Sequence, residues 1–425
     1  MTHQNSLTYA RELDRNDPLK DFRQQFYIPQ VHGKDAVYFL GNSLGLQPKS
    51  TQDEVLTIME NWANFGVEGF FMGSNPWLEY PKKLLPALGK IVGAKEKELV
   101  VMNHLTVNLH LLMISFYQPT TTRYKIICEA KAFPSDQYCM QSQIKLHGLN
   151  IDDCLVEVAP RQGEETIHPD DIFAAIEQHG NETALVLFSG VNYYTGQVFD
   201  IKAIAAAAHE VGAYAGFDLA HAAGNVELNL HEWQADFACW CNYKYLNSGP
   251  GAIAGAFIHE KHIGNANMPR LEGWWGNDAG NRFKMEEKFT PYASAEAWQM
   301  STAPMMLLAA HHAALQIVDV AGFENILTKS KSLSSYLLFL LNDINSNLQK
   351  FTIITPQEEQ QHGSQVSISV HENAKALFDQ LLPKGIFADW REPNVIRVAP
   401  VPLYNSFEEV FVFAETLREL LSAKQ

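Results

Sequence analysis

The sequence has few cysteines and no long apolar run, and each shortage excludes a class of protein. Five cysteines in 425 residues is a small, odd number, so we expect no disulfide framework and a reducing, cytoplasmic location. No stretch reaches the roughly 20 apolar residues of a membrane span. The first residues also lack the basic and apolar regions of a signal peptide. We therefore expect no membrane association.

Basic residues are also in deficit. The chain has 32 lysines and arginines against 48 aspartates and glutamates, a formal net charge of −16 at pH 7. Nucleic acid binding requires a basic face, so we expect no nucleic acid partner. Hydrophobic residues make up 46% and charged residues 19% of the chain, which is typical of a globular protein. A chain of this length is predicted to form two domains that share a core.

The pattern of apolar residues divides the chain into three regions. Residues 1–50 are predicted to form an N-terminal arm that begins with a helix over residues 6–26. Residues 51–310 are predicted to form a large α/β domain and residues 311–425 a smaller α+β domain. Strands and helices alternate in the large domain, which predicts a mainly parallel sheet covered on both faces. The strand candidates are residues 99–102, 125–128, 155–158, 184–188, 213–217, 237–240 and 252–257.

Polar residues follow the predicted strands where each strand ends. Asp218 follows one strand, with His221 one turn later, and Lys244 follows the next strand and precedes a glycine turn. In open α/β sheets ligands bind at this edge. Taken alone, Asp218 has an ordinary explanation as a helix cap and Lys244 as a solvated charge. Together they favour pyridoxal phosphate (PLP), which requires an acid for its ring nitrogen and an amine that can form an imine.

Three further residues each have a functional and a structural interpretation. Thr106 precedes a helical run, so it indicates either a phosphate site at the helix start or an ordinary N-cap. Phe133 opens a turn after a strand, where it can stack on a flat ring or belong to a small core. Arg397 lies on an apolar strand and requires an anion, which is either a ligand carboxylate or a structural Asp or Glu.

Competing signatures are absent or incomplete in the sequence. We find neither the phosphate-binding loop of nucleotide hydrolases nor the glycine fingerprint of dinucleotide-binding folds. The His-Glu-Lys-His segment at residues 259–262 is one residue too short for a zinc protease helix. Asp218 and His221 can bind a metal, but the sequence places no third ligand. We therefore predict no metal.

Several stretches together resemble one family closely and over nearly the whole chain. They are Tyr-Phe-Leu-Gly-Asn-Ser-Leu-Gly at residues 38–45, and residues 105–110, 133–136, 216–222, 243–247 and 397–402. On these motifs the chain resembles the kynureninases, PLP enzymes that hydrolyse kynurenine in tryptophan catabolism and NAD biosynthesis. The resemblance implies fold type I of the PLP-dependent enzymes. It also implies a homodimer with active sites at the subunit interface.

The resemblance implies a role for each matched residue. Lys244 would form the imine with PLP, Asp218 would pair with the ring nitrogen beside His221, and Phe133 would stack on the ring. Arg397 would grip the α-carboxylate of the substrate. Tyr243 matches a cofactor contact and is placed to move protons during catalysis. The other cofactor-contacting positions that match are Leu105, Thr106, Pro134, Ser135, Asp136 and Ser189.

Two matched residues concern the partner subunit and the choice of substrate. Trp274 and Thr302 match positions that reach over from the other subunit to the cofactor. Some relatives carry Asn where Thr302 stands and His near Val67, so the preference between kynurenine and 3-hydroxykynurenine stays open.

Two alternatives to a kynurenine hydrolase are another fold type I enzyme, such as a transaminase or a desulfurase, and an inactive binding protein. Retention of both Lys244 and Asp218 argues against the inactive protein.

Overall fold

The computed structural model describes residues 3–423, and its elements follow the alternation expected from the sequence. The α-helices are α1 (Leu7–Asn16), α2 (Thr51–Phe65), α3 (Leu85–Val92), α4 (Leu105–Phe116), α5 (Pro134–Leu146), α6 (Ile151–Cys154), α7 (Pro169–His179), α8 (Ile201–Glu210), α9 (Met305–Ala321), α10 (Phe323–Leu348), α11 (Ala374–Asp379) and α12 (Phe407–Ser422). The strands are β1 (Gln30–Val31), β2 (Lys34–Asp35), β3 (Val37–Tyr38), β4 (Leu99–Val101), β5 (Lys125–Glu129), β6 (Leu155–Val158), β7 (Thr183–Ser189), β8 (Tyr214–Asp218), β9 (Phe237–Cys241), β10 (Ala254–Ile258), β11 (Phe351–Ile353), β12 (Val366–Val370), β13 (Ile386–Phe387), β14 (Asp389–Arg391) and β15 (Val395–Val398).

The large domain is built on a seven-stranded sheet in the order β4-β10-β9-β8-β7-β5-β6. Strands β9, β8, β7, β5 and β6 are parallel to their neighbours in this order. Only β10 is reversed within this sheet, because it runs antiparallel to both β4 and β9. The prediction of a mainly parallel sheet is confirmed. Because the strands are parallel, the carboxyl ends of β5, β7, β8 and β9 meet at one edge.

Both faces of this sheet are covered, which explains why its strands are almost continuously apolar. Along β7, Leu185 and Leu187 pack in the core that contains side chains of α4 and α5. Val186 and Phe188 point the other way, into the core that contains side chains of α8. This alternation follows from the two-residue repeat of a strand.

The smaller domain has a four-stranded antiparallel sheet in the order β11-β12-β15-β14. Its core includes residues from α10 and α12, and also Val37 and Phe39 from the predicted arm. Strand β3 of the arm pairs in parallel with β13. The arm therefore packs against both domains, because Phe26 and Leu46 belong to the core that contains side chains of α8. The predicted boundary at residue 310 falls inside α9, which runs unbroken from Met305 to Ala321.

The first helix is shorter than the sequence pattern predicted. Helix α1 ends at Asn16, and a separate 3-10 helix spans Lys20–Gln25. The break has a local cause, because Pro18 lacks an N–H group and disfavours helical backbone at the residue before it. The last helix, α12, begins with a capping box, since the backbone N–H of Glu409 donates to Ser406 Oγ at 3.1 Å.

Helices α9 and α10 each bury part of their surface in the cores of the protein. Within residues 3–423, no single helix has both the length and the apolar character to cross a membrane. Only α9 and α10 taken together reach those limits, and the pair is bent by 81°.

Candidate active site

A cavity opens at the edge where the strands β5, β7, β8 and β9 end. Its volume is about 520 Å³ including the open mouth. Its walls contain ten of the residues predicted from the sequence: Leu105, Thr106, Phe133, Ser135, Asp136, Ser189, Asp218, His221, Tyr243 and Lys244. Pro134, the first residue of α5, lies between two of them. The structure thus brings most of the predicted site together.

Lys244 lies on the tight loop after β9. Its Nζ donates a hydrogen bond to Nε2 of His221 at 2.9 Å. The loop is held from the arm, because the backbone N–H of Gly45 donates to the carbonyl oxygen of Tyr243 at 2.7 Å. A side chain at Gly45 would collide with the carbonyl oxygen of Lys244, so this close approach requires glycine.

His221 is the buried partner of the lysine amine, with 6% of its surface exposed. Burial, followed by the positive charges of Lys244, Arg397 and Arg391, holds the pKa of His221 well below its usual value of 6.5. The ring is therefore neutral at physiological pH. A neutral imidazole can accept from the lysine amine at Nε2.

Three buried carboxyl groups face the same cavity. Asp218, at the end of β8, accepts the backbone N–H of Ala220 at 2.6 Å. Burial and then the charge of Asp218 raise the pKa of Asp136 well above its usual value. Glu129 ends β5, and burial raises its pKa to about 8 against the opposing hydrogen bond from Ser189. Because like charges repel strongly in a buried site, the acids cannot all be ionised together.

Glu129 and Tyr193 were missed by the sequence analysis, although both line the cavity. Glu129 directly follows the predicted strand 125–128, so the rule that picked Asp218 also applied to it. Tyr193 follows β7 by four residues and had no such signal. Its ring meets that of Phe133 edge to face, with centroids 5.2 Å apart, so the two aromatic rings form one wall.

Arg397 lies just behind this wall rather than in it. It is buried on β15, forms an ion pair with Asp389 of β14 and donates to the carbonyl oxygen of Tyr193. Of the two kinds of anion that the sequence left open for Arg397, the structural carboxylate is therefore present, and it is Asp389. The Nε of Arg397 is still buried without a hydrogen-bond partner among residues 3–423. One N–H donor of the guanidinium is thus unsatisfied in the described part of the single chain.

Trp274 and Thr302 are exposed and lie outside the cavity of their own chain. The ring of Trp274 meets that of Phe283 edge to face at 5.4 Å, and Phe283 in turn contacts Phe71 at 5.9 Å. All three aromatic side chains have about half of their surface exposed. The proposed role of Trp274 and Thr302 at a partner's site stays a prediction.

The residues of the cavity suit PLP in their chemistry. Helix α4 begins at its wall, and no side chain caps the free N–H groups of this end among the described residues, which suits a phosphate. The exposed part of Phe133 can cover a flat ring. Asp136 Oδ1 and His221 Nδ1 are buried without partners within residues 3–423, so the cavity wall has unmet hydrogen-bonding capacity.

A second cluster of possible ligand atoms lies elsewhere in the fold. Among residues 3–423, Glu98, His231 and His259 are the one group whose side-chain atoms lie close enough together to hold a metal ion. Their atoms already serve the protein, because His231 Nδ1 and the backbone N–H of Glu260 both bond Glu98 Oε1 at 2.9 Å. The backbone N–H of Lys261 likewise donates to His259 Nδ1 at 3.1 Å. These hydrogen bonds indicate that the three side chains have a structural role.

Solved structures with the same architecture belong to PLP-dependent enzymes. A C-DES mutant with glycine covalently linked to the PLP cofactor aligns with a TM-score of 0.76, over 90% of this chain and 96% of that one, at 17% identity. The apo cysteine desulfurase of Thermococcus onnurineus NA1 aligns with a TM-score of 0.73 over 99% of each chain, at 18% identity. The fold is therefore fold type I of the PLP-dependent enzymes, which the sequence analysis predicted.

Full-length relatives narrow the assignment. The kynureninase of Flavobacterium psychrophilum is 51% identical over 420 residues, covering 99% of both chains. The kynureninase of Rattus norvegicus is 44% identical over 434 residues, covering 98% of this chain and 93% of the relative. The model of the kynureninase C-terminal domain matches residues 326–417. The chain belongs to the kynureninase family.

Proposed function

We propose that the chain is a PLP-dependent hydrolase that cleaves the Cβ–Cγ bond of kynurenine and releases alanine and anthranilate in tryptophan catabolism. One observation carries the proposal: Lys244 and Asp218 share one cavity in a chain that is 51% identical to a kynureninase. The nearest alternative is another fold type I reaction. It is disfavoured because the solved desulfurase resembles the chain at only 18% identity.

The cavity residues can each take a part in this reaction. PLP, when bound, supplies an electron sink next to the substrate α-carbon. Asp218 would hold a proton on the ring nitrogen, and Lys244 would bind the aldehyde and afterwards take the α-proton. His221 orients the lysine amine through the 2.9 Å contact.

Tyr243 is the proposed proton carrier when water adds to the side-chain ketone of the substrate. Its ring centre lies 6.0 Å from Lys244 Nζ. Burial, followed by the nearby Cys241, raises the pKa of Tyr243 above its usual value of 10. Its phenol therefore keeps its proton at neutral pH, so it can donate a hydrogen bond to a developing alkoxide.

Arg397 is proposed to hold the α-carboxylate of the substrate. Its Cζ lies 6.0 Å from the ring centre of Tyr193, a residue of the cavity wall. Asp389 fixes the orientation of the guanidinium, and the unpartnered Nε leaves a donor for a carboxylate. A guanidinium that is already oriented loses little entropy when it binds a substrate.

The proposed active unit is a homodimer in which each cavity is completed by the partner subunit. The exposed aromatic cluster of Trp274, Phe283 and Phe71 supports this arrangement, because exposed apolar patches mark interaction surfaces. Two-fold symmetry is the commonest closed assembly.

We also propose a cytoplasmic location, which is supported by the five cysteines, all buried and free.

An absorption and product assay tests the function. The purified protein is mixed with PLP and then with kynurenine, and the release of anthranilate and of alanine is measured. The two products are expected in equal amounts. Cysteine serves as a competing substrate, and Lys244→Ala as the inactive control. Release of sulfur from cysteine, or a keto acid product from kynurenine without anthranilate, would reject the proposal in favour of another fold type I reaction.

A further inference from the structure

Glu129 is a buried acid of the cavity to which the proposed reaction assigns no part. Only 1% of its surface is exposed, although it lies in the cavity wall. Its Oε2 accepts a hydrogen bond from Ser189 Oγ at 2.9 Å. A glutamate is rarely buried so completely unless it is paired, and here its hydrogen-bond donors are Ser189 and Asn192 and not a cation.

The position of Glu129 follows from the order of the strands in the sheet. Ser189 and Asp218 are paired residues at the ends of β7 and β8, and β5 is the neighbour of β7 on the other side. Glu129, Ser189 and Asp218 thus lie at the carboxyl ends of three adjacent strands, with Ser189 on the middle one. The hydrogen bond from Ser189 Oγ joins Glu129 to this middle strand.

The charge balance of the cavity favours a neutral Glu129. Its walls carry three acids, Glu129, Asp136 and Asp218, against the one amine of Lys244. Burial, together with the smaller effect of the Asp218 charge, raises the pKa of Glu129 to about 8 against the opposing hydrogen bonds from Ser189 and Asn192. At neutral pH the proton therefore stays on Glu129.

We propose that Glu129 is a positioning residue of the cofactor site: as a neutral acid it holds the Ser189 hydroxyl at the cavity wall without placing a second negative charge beside Asp218. Asp218 is then left as the anion for the ring nitrogen. This inference rests on the proposed function, because it assigns Glu129 a role towards PLP. It goes beyond that function by naming a protonation state and a residue through which Glu129 acts.

The binding of PLP to the apo protein tests the contact with Ser189. Dissociation constants are measured by absorbance for wild type, Glu129→Gln, Glu129→Ala, Ser189→Ala and the double alanine variant. Glutamine is neutral and still accepts the hydroxyl, so its affinity is expected within about twofold of wild type. Glu129→Ala and Ser189→Ala are each expected to weaken PLP binding about three- to tenfold. The double variant is expected to bind PLP no more weakly than the single variant with the lower affinity.

An infrared spectrum of the apo protein at pH 7 tests the protonation state without PLP. The difference between wild type and Glu129→Gln is expected to contain the carbonyl band of a protonated carboxylic acid. Glu157→Gln is the matched control, because Glu157 lies on the adjacent strand β6, accepts a hydrogen bond from Gln137 and is exposed. Its difference spectrum is expected to show a carboxylate, with unchanged PLP affinity.

Three results would overturn the inference. They are a loss of affinity in Glu129→Gln as large as in Glu129→Ala, additive losses in the double variant, and a carboxylate band for Glu129 at pH 7. Because glutamine has nearly the same shape as glutamic acid, Glu129→Gln tests the charge even if the alanine variants do not fold. Failure of the wild type to release anthranilate would instead reject the proposed function and leave the infrared result unaffected.

Discussion

The Nζ of Lys244 lies 2.9 Å from Nε2 of His221, and both residues line the cavity. Lysine can only donate, so Nε2 is the acceptor and the imidazole proton lies on Nδ1. Nδ1 is itself buried without a partner among residues 3–423. Since the pKa of His221 is lowered by burial and by nearby cations, the ring stays neutral. A neutral, buried acceptor thus directs the lysine amine into the cavity.

The first prediction concerns this amine. The protein with PLP is expected to show a visible band that borohydride bleaches, because Nζ of Lys244 forms a reducible bond to the cofactor aldehyde. Lys244→Ala removes the amine and is expected to lose the band completely. Lys131→Ala, which changes an exposed lysine, serves as the control. Peptide mapping after reduction that finds PLP on any other lysine would contradict the assignment.

The second prediction concerns the shared site. Lys244→Ala and Trp274→Ala are each expected to be inactive as homodimers, because one loses the amine and the other loses the residue that reaches the neighbouring cavity. When the two are mixed, a heterodimer contains one intact site, so up to about half of the activity per heterodimer is expected to return. Each variant mixed with itself is the control. If no activity returns although mass spectrometry shows that the subunits have exchanged, the shared site is excluded.

The third prediction concerns Arg397. Arg397→Lys keeps the charge and loses the planar fork, so we expect kcat/KM for kynurenine to fall roughly ten- to hundred-fold, or about 1.5–3 kcal/mol. Arg391→Lys is the matched control, because Arg391 also contacts Asp389, at 3.2 Å, but is more exposed. It is expected to remain near wild type. Equal kinetics for Arg397→Lys and the wild type would mean that another residue holds the carboxylate.

The sequence predicted the parts of the site that depend on single strands. Asp218 and Lys244 were recognised because each follows an apolar run at its carboxyl end, and the strands β8 and β9 formed as expected. That both residues face one cavity follows from β8 and β9 being adjacent and parallel. Local pattern and sheet direction thus suffice for this pair.

Contacts between distant segments could not be predicted. The sequence left two kinds of partner open for Arg397, and the choice of Asp389 depends on the antiparallel pairing of β14 with β15, which places the two residues opposite each other. The wall formed by Tyr193 similarly depends on Phe133 in another segment. The arm was predicted as a separate region, but Val37 packs in the core of the smaller domain. In each case tertiary pairing, rather than local pattern, decides the outcome.

The fourth prediction concerns the pH dependence of stability in the apo protein. Folding raises the pKa of Glu129 from 4.5 to about 8, so between these values the folded state holds a proton that the unfolded chain releases. The free energy of unfolding therefore falls as pH rises through this window, by up to about 1.4 kcal/mol per pH unit from this group. Glu129→Gln removes the titration.

Urea unfolding of both proteins at pH 5, 6.5 and 8 measures the effect. The wild type is expected to lose stability relative to Glu129→Gln at each step, at one fixed protein concentration because a dimer is expected. Glu157→Gln, with its exposed glutamate, is expected to follow the wild type. Parallel stability curves for wild type and Glu129→Gln would show that Glu129 titrates normally.

The last prediction concerns the choice between kynurenine and 3-hydroxykynurenine. Val67 and Thr302 are both exposed in the single chain, Val67 with 72% of its surface, and both are expected to border the substrate ring in the dimer. A ring hydroxyl improves binding only where the pocket offers a hydrogen-bond partner, because a buried polar group without one costs about 1–3 kcal/mol. Val67 offers none, and Thr302 offers one short hydroxyl where some relatives have an amide.

We therefore expect kcat/KM for kynurenine to equal or exceed that for 3-hydroxykynurenine. Thr302→Asn supplies a longer amide, so it is expected to shift the ratio of the two kcat/KM values towards the hydroxylated substrate, whereas Thr302→Val removes the hydroxyl and shifts the ratio the other way. Each variant acts on the ratio, so differences in folding or in PLP loading cancel. A preference of the wild type for 3-hydroxykynurenine of about tenfold or more, equivalent to roughly 1.4 kcal/mol, would mean that another group binds the ring hydroxyl.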